Sequence, residues 1–224
     1  MKYIIANWKT RKTLAESTSW LKTFLSLLEN NNEVKSKLEK DEIKVIIAPA
    51  SPFIVPLSQI ISSMKNLALA SQDISQFEEG SFTGEVTARM LEGIVSYALL
   101  GHSERRTNNH ETDEIVNKKV QLARKHNISS IVCVQGVESK IPQEVSIVAY
   151  EPTDAIGTGN NQKVEDVISV KKKLTLPAST PFLYGGSVND SNIDSYLTSS
   201  EIDGLLVGTS SLDPEEFFKL LTRV

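Results

Sequence analysis

Ser129-Ser130-Ile131-Val132-Cys133-Val134, followed after ten residues by Val145-Ser146-Ile147-Val148-Ala149, is the stretch that decides the fold. Both runs are nearly continuous in apolar, largely β-branched residues and lack the strict alternation of a half-exposed strand. Strands buried on both faces of a parallel sheet have this character. Working outward, six further runs of the same kind appear: Tyr3–Trp8, Ile43–Ala48, Leu67–Ser71, Val95–Leu100, Pro181–Tyr184 and Asp203–Val207. Most are separated by segments of helical period, the pattern of repeated βα units. Eight units in 224 residues leave 28 residues each, lean but sufficient for a closed (β/α)8 barrel, which typically takes about 250 residues. An open doubly wound sheet would carry a Gly-x-Gly-x-x-Gly turn after the first strand, and the sequence there reads Asn7-Trp8-Lys9-Thr10. No linker or composition break divides the chain, so residues 1–224 read as a single α/β domain.

Helical faces follow from spacing. Leu14, Leu21, Phe24, Leu25 and Leu28 share one stripe, and Ile115, the Lys118 stem, Leu122 and His126 form a weaker second one. Asp213, Pro214 and Glu216 mark the start of a last helix, with a capping acceptor, a proline at the first position and capping-box spacing. Glu29–Glu42, with three consecutive asparagines and a Lys/Glu run, reads as an exposed polar insertion.

Composition removes several function classes. With 24 basic and 28 acidic side chains the net charge is −4, the wrong sign for a chain that lives on nucleic-acid phosphates. No apolar run approaches the roughly 18 residues of a membrane helix, and Met1-Lys2-Tyr3 runs directly into a strand without a signal-peptide core, so a cytoplasmic protein is expected. One cysteine and three scattered histidines offer neither a disulfide nor a close ligand pair, so no structural metal is expected.

In a parallel barrel the loops leaving the carboxyl ends of the strands form one rim, and polar residues there are read first for chemistry. The first strand ends with Asn7 and Lys9 on one face, which without further context is also what a solvated loop offers. The fourth ends in Gly101-His102-Ser103-Glu104-Arg105-Arg106, a histidine at a helix start with Ser103 as the candidate cap. A helix amino terminus disfavours the imidazolium and suits a neutral ring that donates a hydrogen bond. The sixth runs through Ala149-Tyr150-Glu151-Pro152 towards Gly157-Thr158-Gly159, a carboxylate beside a glycine-bearing loop, suited to a general base under a lid. Three glycine turns, Gly157–Gly159, Tyr184-Gly185-Gly186-Ser187 and Val207-Gly208-Thr209-Ser210, would expose amide donors of the kind that bind phosphate.

These motifs, with Gly80-Ser81-Phe82-Thr83-Gly84-Glu85, Ala155-Ile156-Gly157 and Asp203-Gly204-Leu205-Leu206-Val207-Gly208, resemble those of the triosephosphate isomerase family in order from end to end of the chain. The resemblance implies a TIM barrel that interconverts dihydroxyacetone phosphate and D-glyceraldehyde 3-phosphate without a metal or organic cofactor. It assigns Glu151 as base, neutral His102 as the group polarising the carbonyl, and Lys9 as electrostatic stabiliser, with Asn7 and Glu104 alongside. Gly157, Ser187, Gly208 and Thr209 would hold the phosphate. It also implies a homodimer through the loop Gln72–Glu85, in which Thr83 reaches the partner subunit's Asn7 region and Glu85 pairs with an arginine, Arg105 being the candidate. The other readings are a different phosphate-binding barrel enzyme or a non-catalytic relative. A Schiff-base aldolase would want a lysine near the sixth strand, where this chain has Glu151.

Two departures from the family pattern stand out. Ten residues, Gln135 to Glu144, join the fifth and sixth strands, and Ile141-Pro142 opposes a helix there, so the fifth outer helix is expected to be absent or reduced to a turn. Thr153-Asp154 stands where the family usually has Val-Trp, and the usual glutamate after Cys133-Val134-Gln135-Gly136 is missing. A weakened lid latch and a raised Michaelis constant would follow. Cys133 reads as packing volume, His110 and His126 as solvated, and Arg105 and Arg106 as structural ion-pair partners rather than a phosphate site.

Overall fold

Eight strands form because each of these runs can bury both faces, and in the computed structural model they close on themselves. The structure describes residues 1–61, 64–152, 161–177, 179–188 and 192–224. The strands are β1 (Lys2–Asn7), β2 (Ile43–Ala48), β3 (Leu67–Ser71), β4 (Tyr97–Leu100), β5 (Ser129–Val134), β6 (Ile147–Tyr150), β7 (Phe182–Tyr184) and β8 (Gly204–Val207). All neighbours run parallel in sequence order, and β8 pairs back onto β1. Every expected strand is present, with boundaries moved by at most two residues.

Successive side chains alternate between two cores, which is why the runs show no polar alternation. Ile5, Ile46, Leu99, Ile131, Ile147, Leu183 and Leu206 fill the barrel interior. Ile4, Val45, Leu100, Val132, Val148 and Tyr150 face the outer helices. Closure needs Gly204, whose φ is +155° and where any side chain would collide with the Tyr3 carbonyl.

Helix α1 (Leu14–Glu29) starts in a capping box between Thr13 and Glu16. Its buried stripe is Ser17, Trp20, Leu21, Phe24 and Leu28, whereas Leu14 is exposed. Trp20 displaces it because its indole packs between Trp8, Phe24 and Phe217. Residues expected as a polar insertion instead form helix α2 (Asn32–Glu39), capped by Asn31 and burying Val34 and Leu38. Two apolar residues in eight are too few to register as a period. Helices α3 (Ile54–Ile61), α4 (Ala88–Leu91), α5 (Ser103–Asn108) and α6 (Asp113–Lys125) follow, then α7 (Val164–Lys173), α8 (Ile193–Leu197) and α9 (Pro214–Thr222). Asp213 caps α9 through the Glu215 and Glu216 amides, and Pro214 takes its first position.

The α6 stripe is rotated from expectation. Val116, Lys119, Val120 and Ala123 are buried, while Lys118 is exposed. An apolar pattern cannot show that Lys119 is drawn inward by Asp73 and Glu111. His126 also departs from expectation: it is buried, with Nδ1 3.0 Å from Glu92.

Residues 135–146 carry no helix, as Ile141-Pro142 predicted. Ser130 and Ser146 exchange amide-to-hydroxyl bonds at the base of β5 and β6, at 3.2 and 3.1 Å. Pro142 and Val145 turn inward, and α6 covers part of the gap. Asp113 accepts the Lys140 amide, Glu114 faces the Lys140 ammonium, and Arg124 pairs with Glu144.

Candidate active site

Where β1 ends, the Asn7 amide oxygen accepts the Lys9 N–H at 3.1 Å, and Lys9 takes a φ of +51° that few non-glycine residues adopt. Gln72, at the exit of β3, holds that conformation: its Nε2 donates to the carbonyls of Lys9 (2.8 Å) and Ala48 (2.9 Å). Lys9 therefore projects across the rim, and its ammonium lies 2.6 Å from Glu104 Oε1.

Where β4 ends, His102 itself caps α5, and Ser103 becomes the first helical residue. The cap is the imidazole: Nδ1 accepts the Glu104 N–H at 3.2 Å. An Nδ1 that accepts must carry a lone pair, so the proton of a neutral ring sits on Nε2. Nε2 lies 2.9 Å from Glu151 Oε1, and Glu151 Oε2 accepts the Ser103 N–H at 3.0 Å.

Glu151 follows the last residue of β6 and is 2 % exposed. Its N–H bonds the Val134 carbonyl at 2.8 Å, continuing the barrel ladder by one residue. The Gly185 amide donates to the Tyr150 carbonyl at 2.7 Å, and a Cβ at Gly185 would stand 3.0 Å from Glu151 Cγ. The glycine after β7 thus leaves room for the acid.

Burial pushes the Glu151 carboxyl up, but the His102 ring, the Ser103 amide and Lys9 together hold it below the ordinary carboxylate value. For His102, burial acts downward and is outweighed by the Glu151 carboxylate and then Glu104, so the docked ring is raised above its usual value. The helix amino terminus acts the other way. His102 basicity therefore depends on where Glu151 sits: turned away, the carboxylate leaves burial, Lys9 and the helix end favouring the neutral ring, with Glu104 opposing them.

Comparison with known proteins adds a family to this geometry. The family model for triosephosphate isomerase matches residues 2–224. Triosephosphate isomerase of Prochlorococcus marinus (strain MIT 9301) is 38% identical, over 97% of this chain and 96% of its own. Those of Mesomycoplasma hyopneumoniae (strain 7448) and Mesomycoplasma hyorhinis are 35% and 38% identical, over 99% and 98% of this chain and 99% and 97% of theirs. The chain belongs to the triosephosphate isomerase family. The isomerase and the closed barrel expected from short motifs are thus met along the whole length.

Within this triosephosphate isomerase family chain the other anticipated residues fall as follows. Gly208 lies 3.8 Å (from a Cβ placed on it) from Lys9 Cε, and Thr209 starts the short 3-10 turn after it. Ser210 Oγ donates to the Val188 carbonyl, tying the β8 turn to the β7 turn that holds Ser187. Gly157 and Thr153-Asp154 lie outside the described residues. Thr83 and Glu85 are exposed on the loop after β3. Arg105 is engaged within its own chain, 2.6 Å from Glu111 and 2.9 Å from Asp73. Arg106 bonds the Gly101 carbonyl and Asp113, the structural pairing expected of it. Cys133 is fully buried, and burial with the nearby Glu151 pushes its thiol well up. Sequence reasoning missed Gln72 and the Ser103 amide; a side chain bridging two strand-end carbonyls leaves no trace in spacing.

Proposed function

We propose that Glu151, His102 and Lys9 carry the interconversion of dihydroxyacetone phosphate and D-glyceraldehyde 3-phosphate in this chain. The observation that supports this most is the contact of His102 Nε2 with Glu151 across two strand ends, beside a lysine held in a strained backbone. The Glu151 carboxylate leaves Ser103 and His102, takes a proton from the carbon next to the substrate carbonyl, and returns it to the neighbouring carbon. His102, freed of that carboxylate, donates its Nε2 hydrogen to the carbonyl oxygen and shuttles protons between the two oxygens of the enediolate. Lys9 stabilises the developing negative charge, Asn7 fixes the Lys9 backbone, and Glu104 orients both His102 and Lys9. The phosphate takes amides of Gly157, Ser187, Gly208 and Thr209, no cofactor is needed, and residues 1–224 act as one domain.

The same reading makes the protein a cytoplasmic homodimer. Among the described residues no helix is long and apolar enough to cross a membrane. Phe77 and Phe82 stack at 3.9 Å on the loop after β3, 37% and 40% exposed, a pair that a second copy would cover. Thr83 then approaches Asn7 of the partner subunit, and Glu85 meets Arg105 of the partner subunit through guanidinium donors that Asp73 and Glu111 leave available. Sedimentation velocity is expected to show a dimer that Phe77→Ser/Phe82→Ser dissociates; a dimer unaffected by both changes would overturn the assignment.

A coupled isomerisation assay with Glu151→Gln tests the chemistry. A general base contributes roughly 10²–10⁴-fold, about 3–5 kcal/mol of barrier. Loss of only a few-fold would remove Glu151 from the role.

A further inference from the structure

Three tyrosines outside the rim converge on one residue that no step above uses. Tyr150 on β6, Tyr184 on β7 and Tyr196 on α8 are each at most 4 % exposed. The Tyr150 hydroxyl donates to Gln162 Oε1 at 3.2 Å, the Gln162 N–H donates to the Tyr184 hydroxyl at 3.1 Å, and the Tyr196 hydroxyl donates to the Gln162 carbonyl at 2.6 Å. Asn161 Nδ2 adds a bond to the Tyr196 hydroxyl at 3.2 Å. The rings are fixed in turn: Tyr184 stacks on Tyr196 at 4.3 Å, and Tyr150 stacks with Phe182 at 6.4 Å. A side chain at Gly186 would collide with the Tyr184 hydroxyl, so the turn that carries Ser187 is built against the same knot.

Tyr150 immediately precedes Glu151 and points into the outer core, so the acid on the next residue turns inward. Among the described residues of this segment Glu151 is also the last whose N–H joins the barrel ladder, since Pro152 has no N–H to offer. Among the described residues of the outgoing connection, the next anchors to the neighbouring strands and α8 are those at Asn161 and Gln162. We propose that Gln162 is a positioning residue for the Glu151 base, acting through its bond to the Tyr150 hydroxyl, and that the knot holds the base and the Ser187 turn in one mutual arrangement.

Burial keeps the Tyr184 phenol protonated by pushing it up, so the knot persists across the working pH range. The role rests on Glu151 being the base, and geometry of this kind matters because small displacements of a reacting group are costly in rate.

Steady-state kinetics and thermal unfolding of Gln162→Met, Tyr150→Phe, their combination and Gln162→Glu test it. Each single variant is expected to lose about three- to tenfold in kcat, the value of one neutral hydrogen bond, with KM within about twofold. The combination is expected to lose no more than one of them, since both remove the same bond. Gln162→Glu keeps the acceptor oxygen and is expected to restore kcat. Unchanged kcat in folded single variants, losses that multiply in the combination, or a folded Gln162→Glu as slow as Gln162→Met would each overturn the role. Glu151→Gln is run beside them. An active Glu151→Gln removes the base itself, whereas an inactive one with an unimpaired Gln162→Met removes only the positioning role.

Discussion

Two buried charge clusters lie within a few residues of one another along α5, and they are built on opposite principles. At its start, His102 and Glu151 have one ion-pair contact between them, and each also takes a backbone amide, that of Glu104 and that of Ser103. Three residues on from His102, Arg105 enters a closed set with Lys119, Asp73 and Glu111. There one ammonium reaches three carboxylate oxygens at 2.7, 2.8 and 2.5 Å, and the guanidinium bridges both acids. Two cations against two anions leave no net charge, and no member can depart without stranding another in a low-dielectric setting. Glu151 can leave, because its departure removes the main group that favours a charged His102 ring, and the other group it abandons is a backbone amide. Burying charge thus serves fixity in one place and movement in the other, and what separates them is whether the partner is a permanent cation or a ring that can give up its proton.

The largest effect expected from this contrast is on rate at the mobile cluster. His102→Gln removes the ring that meets Glu151 and should lower kcat by about 10²–10⁴-fold, while costing about 1 kcal/mol of stability for the lost cap. A coupled assay with urea unfolding of the same sample separates the two; activity within tenfold of the parent protein would erase the distinction. Next is the fixed cluster. Lys119→Met leaves two acids facing a single guanidinium, and removing one partner of a buried pair costs about 3–5 kcal/mol. Urea midpoints should fall accordingly while kcat of the folded fraction stays within about twofold. A rate loss larger than the stability loss would mean that the closed set also orients the rim.

These clusters also mark the limit of what the chain's letters disclose. The eight strands were legible because burial on both faces writes itself as uninterrupted apolar runs, and the missing helix between β5 and β6 because Pro142 and a ten-residue span leave no room for one. The rim residues Asn7, Lys9, His102 and Glu151 were legible as strand-end polar groups, and the structure brings all four together. Lys119 was not, because a lysine in a helix reads as solvent-facing unless its acids, 46 and 8 positions away, are known to converge on it. Helix α2 escaped for a related reason: Asn31 was an available cap, and Val34 with Leu38 an available stripe, yet polar neighbours outvoted them. His102 in place of Ser103 as the cap shows the same limit on a local scale, since a ring nitrogen competes with a hydroxyl only once the χ angles are fixed.

The smallest effect sharpens the contrast through its sign. Burial outweighs Lys119 at Asp73, Glu111 adds to it, and the carboxyl is pushed up from an ordinary 3.8 to about 6. A folded-state value above the unfolded one means that between about pH 4 and 6 the native protein holds a proton the unfolded chain has released. Stability therefore falls as pH rises through that window, and the cost is complete above it, at most about 3 kcal/mol at 1.36 kcal/mol per unit. Asp73→Asn cannot ionise and escapes that cost, though Lys119 and Arg105 lose an anionic partner. Unfolding free energies measured from pH 4 to 7.5 should therefore show the variant gaining on the parent as pH rises, whatever the offset between them at pH 4. If the variant instead loses ground across that window, the Asp73 anion is favoured by its cations, and the fixed cluster is stabilised by its charges rather than confined by them.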